Sequence, residues 1–97
     1  MERRHEDQLN NALDQLYLEG ATSIRWDQLY VWFNAERLGK TAYRDLIRRW
    51  EELCTSTYGY PSAPELLVHY RHDKPTLTLI RKPIDNKEKI QLLSKWA

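Results

Sequence analysis

The stretch GKTAYRDLIRRWEEL, Gly39 to Leu53, sets Lys40, Arg44, Arg48 and Arg49 behind a glycine and threads apolar residues between them. Arg44 and Arg48 are four apart, so in a helix they share one face, and arginine can grip a phosphate or a guanine edge bidentately. Lys40 and Thr41 fall at the expected helix start, where unpaired backbone N–H groups also favour an anion. Arg71 and Lys74 form a second basic group around HDKP. A plainer reading exists beside this one. Arg48 stands three and four residues before Glu51 and Glu52, and such pairs support an exposed helix by about 0.2–0.5 kcal/mol each. The residues alone leave both readings open: nucleic-acid contact, or a solvated or partner-binding face.

Other chemistries find less material. There is no P-loop and no G-x-G-x-x-G, and the three glycines are all used at helix ends, so no phosphate cradle for a nucleotide is expected. Cys54 falls inside an apolar stripe, where a thiol is inert. His69 and His72 are three apart and point to opposite faces of an extended strand, while His5 is isolated; no metal site is expected. Asp7, Asp14, Glu51 and Glu52 are expected in water. The reading is of a binding protein with no catalytic, cofactor or metal set.

Composition narrows the class. A chain of 97 residues fits one domain spanning 1–97. Its single cysteine forms no internal disulfide, which suits a reducing compartment and makes the cytoplasm the expected location. The longest apolar run, LYVWF at Leu29–Phe33, is far short of the roughly 20 residues a membrane span needs. Net charge is only +1, but it is segregated: −4 over residues 6–19, +4 over 37–49 and +3 over 71–82.

These residues must be positioned by regular elements. Gly20, Gly39 and Gly59 each follow a helical pattern. Leu9, Ala12, Leu13, Leu16 and Tyr17 make one face of a helix over about 5–18, and Trp26, Leu29, Tyr30 and Phe33 make another over 26–36, after the β-prone ATSIRW. A third helix, 41–54, carries Tyr43, Leu46, Ile47, Trp50, Leu53 and Cys54 as one continuous buried stripe, with Thr41 its expected N-cap. Past Gly59, YGYPSAPE is a loop, and LLVHYR and TLTLIR are β-prone runs joined by HDKP into a hairpin over 66–82. Asp85 and Glu88, ahead of Ile90, Leu93 and Trp96, signal a short C-terminal helix over 85–96.

The order helix, strand, helix, turn, helix, hairpin resembles a winged helix-turn-helix domain over about residues 6–82. The most specific part is AERLGKTAYRDLIRRWEEL, similar to the turn and recognition helix of bacterial winged-helix regulators, with Ala35 four residues before the turn glycine Gly39. The fold implied is α+β and mainly helical: a three-helix winged helix-turn-helix with a C-terminal β-hairpin wing and a short fourth helix. The resemblance implies a small transcriptional regulator that binds double-stranded DNA. Helix 41–54 would enter the major groove with Lys40, Thr41, Arg44 and Arg48, and the wing would bring Arg71 and Lys74 to the flanking backbone. A pair of such modules doubles the surface buried on DNA, and the C-terminal helix is the candidate homodimer contact.

A different function class also fits. WDQLYVWF packs four aromatic rings into eight residues, more than one helix face hides. Val31 and Trp32, with Trp96 at the far end, form a candidate partner surface for a winged-helix adaptor that binds protein and no DNA. The opposing expectation for Trp96 is that the last helix folds back and covers it.

Overall fold

The computed structural model describes residues 1–34, 38–84 and 88–96. It is an α+β domain of three α-helices and a three-stranded antiparallel sheet. Helix α1, Arg3–Glu19, buries Leu9, Leu13 and Leu16, one side of the predicted stripe. It stops at Gly20, whose φ of 88° lets its N–H turn back to the Leu16 carbonyl, a conformation that a Cβ would strain. Strand β1, Ala21–Arg25, follows at once and turns Thr22 and Ile24 inward.

Helix α2 runs Trp26–Trp32, opened by the Gln28 side chain accepting the Arg25 N–H at 3.1 Å. It is shorter than the predicted 26–36. The helix unwinds through Phe33 and Asn34, which has a φ of 48°, and residues 35 and 36 lie outside the described residues. Its inner face differs as well. Trp32 is only 3% exposed and donates its indole N–H to Gln8 Oε1 at 2.8 Å, so it is a core residue and not a partner-facing one, while Tyr30 is exposed.

Helix α3, Lys40–Glu52, begins one residue before the predicted start, with Gly39 in extended conformation as its N-cap. Thr41 therefore lies within the first turn and does not cap it. The chain continues into a wider π-helical turn, Leu53–Thr57. Leu46, Trp50 and Cys54 are buried, and the Trp50 indole donates to the Pro64 carbonyl at 2.9 Å, which draws the proline-rich loop onto the helix. That loop also returns to α1: Tyr58 stacks on Tyr17 with ring centroids 3.6 Å apart and donates its hydroxyl to Asp14 Oδ1 at 3.0 Å. Asp14 is thus a hydrogen-bond acceptor, not simply solvated.

Strands β2, Leu66–Tyr70, and β3, Thr76–Arg81, form the predicted hairpin, and β3 also pairs with β1, giving the order β1-β3-β2. The register sets Leu79 against Thr22 and Val68, and Leu77 against Ile24 and Tyr70, so all six point to one face. The core lies between that face and the helices, under β1 and β3.

Arg81 ends β3 on the same inward face and is 5% exposed. Its Nε donates to the Tyr17 carbonyl at 2.8 Å, covering a carbonyl in the last turn of α1, and its two terminal nitrogens reach Glu88 at 2.9 and 2.7 Å. The predicted helix 85–96 is reduced to a 3-10 turn, Leu93–Trp96, with residues 85–87 and 97 outside the described residues. Glu88, read as a capping residue, instead neutralises Arg81. No helix among the described residues is long and apolar enough to cross a membrane.

Two measurements check this packing. Trp50→Ala removes a fully buried indole and its bond to Pro64, and is expected to cost about 3–5 kcal/mol in denaturant unfolding. Bonds from Arg81 and from the Ile84 N–H hold the Glu88 carboxyl below the usual carboxylate range. A depressed folded-state value contributes stability above about pH 4.3, the ordinary glutamate value, and loses it as pH falls through the folded one. Glu88→Gln should therefore lower the melting temperature at neutral pH and flatten its acid-side dependence.

Candidate functional site

The cations singled out in the sequence separate into paired and unpaired sets. Lys40, Thr41 and Arg44 are exposed on the first turn and a half of α3. Among the described residues Lys40 and Arg44 make no ion pair. Arg48, one turn further on, is held from both sides, by Asp45 and by Glu52 at 2.8 Å. Arg49 reaches Asp45 at 2.9 Å and Glu6 of α1 at 3.6 Å, which makes it a brace between helices. Burial opposes ionisation of Asp45, but the bonds from Arg49 and Arg48 outweigh it and keep its carboxyl below the ordinary range. Free positive charge thus sits on the N-terminal half of α3, and the C-terminal half is neutralised by its own carboxylates.

The hairpin turn repeats the division. Arg71 pairs with Asp73 at 2.9 Å, the Lys74 N–H closes the turn onto the Arg71 carbonyl at 3.2 Å, and the Lys74 side chain has no ion pair among the described residues. The two basic groups flank one cleft. Tyr43, beside Arg44, and His72, beside Arg71, line the same groove between α3 and β2.

That groove was not foreseen. It encloses about 470 Å³, with Tyr43 and Ile47 on the α3 wall, Val68 and Tyr70 on the β2 wall, and Leu46, Leu77 and Leu79 below. Tyr43 and Ile47, expected in the buried stripe, are 42% and 47% exposed; Val68 and Tyr70, on the inward face of the sheet, are 51% and 50% exposed. The reason is geometric: α1 packs on β1 and β3, while the edge strand β2 lies beyond it and faces α3 only across the groove. Trp26 meets Tyr70 edge-on at 6.4 Å, and His72 meets Tyr70 at 5.4 Å, so one end is built of aromatic rings. The signal available in the sequence was the width of the α3 stripe, six apolar residues from Tyr43 to Cys54, more than a narrow sheet can cover.

The remaining candidates are dispersed. His69 pairs with Thr78 on the outer face of the sheet, away from His72 in the groove. Val31 is exposed on α2, whereas Trp32 is buried. Trp96 is exposed, its indole donating to Gln91 at 3.2 Å. Cys54 is fully buried; burial pushes its thiol up, with the charge of Arg81 only partly opposing.

Compared with protein-family models, curated proteins and solved structures, the chain shows no significant match to any.

The state of Cys54 can be checked directly. With its sulfur in the core and its thiolate disfavoured, native protein should react with a thiol reagent at neutral pH orders of magnitude more slowly than protein unfolded in denaturant. Equal rates would contradict the phase assigned to α3.

Proposed function

We propose that this protein is a winged-helix DNA-binding protein, a small transcriptional regulator in which α3 enters the major groove and the β2–β3 hairpin is the wing. The element order α1-β1-α2-α3-β2-β3 and the sheet order β1-β3-β2 are in keeping with that fold. The single observation that carries the reading is the charge at the start of α3: Lys40 and Arg44 are exposed and unpaired among the described residues, beside helix N–H groups and across a cleft from the turn that bears Arg71 and Lys74. Carboxylates at Glu51 and Glu52 would repel a phosphate backbone, so the helix inserts by its N-terminal half. Arg44 then reads a base edge or grips a phosphate, Lys40 and Thr41 hold the backbone at the helix start, and Lys74 supplies a flanking contact. Arg48 and Arg71 contribute by exchanging their exposed partners Glu52 and Asp73 for phosphate, a change of small cost because surface pairs are worth about 0–1 kcal/mol.

A second reading, a winged-helix adaptor that binds protein, is favoured by the groove itself. Contiguous exposed apolar surface of this kind marks an interaction site more often than a phosphate contact. Salt dependence separates the two, since phosphate neutralisation releases counterions and apolar docking does not.

Neutralising three phosphates with Lys40, Arg44 and Lys74 gives a slope of log K against log salt of about −2.7 per protomer, and adding Arg48 and Arg71 brings it to about −4.5. Lys74→Ala should reduce the slope by about 1 for all duplexes alike, and Arg44→Ala should weaken binding about ten- to a hundredfold and flatten any sequence preference. A Lys40→Ala, Arg44→Ala double variant that folds and binds duplex as tightly as the parent would sink the DNA reading.

A further inference from the structure

We propose that the groove between α3 and β2 receives residues 88–96 of a second copy of this chain, in a reciprocal dimer. The inference stands on two apolar surfaces that the same chain leaves uncovered. One is the groove, open along Tyr43, Ile47, Val68 and Tyr70. The other is the segment after Glu88, where Ile90, Leu92, Leu93 and Trp96 are 69–75% exposed, four large apolar side chains in seven residues. Neither arrangement is stable in water by itself when an apolar counterpart is at hand.

The placement of the apolar residues after Glu88 bears on whether they fill their own groove or another copy's. After β3 the chain is tied down at the Leu66 end of the sheet: Lys82 bonds Glu65 through its backbone N–H at 3.0 Å and through its ammonium at 2.6 Å. Glu88 is then held by Arg81, which faces Leu66 in the register. Ile90, Leu92, Leu93 and Trp96 are exposed, and none of them lines the groove of their own chain. The radius of gyration, 14.5 Å, exceeds the roughly 12.5 Å of a compact chain of this length. A groove and an exposed apolar segment on every copy satisfy each other about a two-fold axis, each segment filling the partner's groove, so both contacts are identical and the assembly closes. The groove volume is in the range, about 300–1,000 Å³, of sites that enclose several apolar groups.

The test is sedimentation equilibrium of the full chain across a concentration series, with one variant in each surface. Ile47→Glu puts a charge in the groove, and Leu93→Glu puts one in the segment; both positions are exposed in the single chain, so folding is preserved, and thermal melts check it. The parent should dimerise, and each variant should raise the dimer dissociation constant at least about tenfold, one decade in K. Mixing the two variants is the decisive arm. The Ile47→Glu copy has a sound segment and the Leu93→Glu copy a sound groove, so the mixed dimer regains one contact and is tighter than either variant with itself. Val68→Glu serves as a second groove variant and should behave as Ile47→Glu does. A parent that is monomeric throughout the series, a dimer indifferent to either substitution, or a mixture no tighter than its components would each overturn the proposal.

Discussion

The position of β3 between β1 and β2 is the constraint on which this structure depends. β3 is paired on both sides, to a strand fifty-odd residues earlier and to its own hairpin partner, and every inward residue of the sheet is placed by those two registers. Leu77 and Leu79 are buried because α1 packs across β1 and β3, the two strands it can cover. Val68 and Tyr70 share their face yet remain open because they are one strand too far. The core and the groove are therefore two results of one pairing: a three-stranded sheet with helices centred on its first two strands leaves the third half-covered.

Charge is arranged around the same frame. The acidic α1 uses Glu6 to meet Arg49 and Asp14 to meet Tyr58, so part of its negative charge is spent inside the domain. Arg81, nearly buried, is matched by Glu88 and by the end of α1, which explains why the basic window 71–82 is less positive at the surface than its count of four cations suggests. Among the described residues Lys40 and Arg44 at the start of α3 and Lys74 at the hairpin turn remain without an ion pair, as do Arg3, Lys89 and Lys95. A net charge of +1 thus conceals an uneven local distribution of paired and unpaired cations.

Local patterns were legible where one element alone determines them. Leu9, Leu13 and Leu16 repeat at helical spacing, Gly20 demands a positive φ, and LLVHYR and TLTLIR alternate, so α1, its end and the hairpin follow from residue order. The pairing of β1 with β3, the burial of Trp32 and the exposure of Tyr43 and Ile47 depend on which elements meet, and periodicity carries no information about that. Trp32 sits about 100° from Phe33 on α2, and only contact with Gln8 of α1 settles which ring goes inside. The predicted helix 85–96 lost to a competing interaction, since Glu88 is drawn to the buried Arg81 and leaves the stripe of Ile90, Leu93 and Trp96 without a helix to organise it. Ala35, Arg37 and Asp85 lie outside the described residues.

The functional account ties the unpaired cations of α3 and the hairpin turn to a duplex, with the groove beside them left for an apolar partner. These are adjacent but distinct surfaces, one governed by salt and the other by apolar area, and they can be separated residue by residue. The most direct measurement is a backbone amide chemical-shift titration of the full chain with a generic DNA duplex at low salt. The account predicts that Lys40, Thr41, Arg44, Arg71 and Lys74 shift together, that their shifts reverse on adding salt, and that the amides of α1 stay in place. A spectrum unchanged at excess duplex, or shifts confined to residues away from α3 and the hairpin, would contradict it.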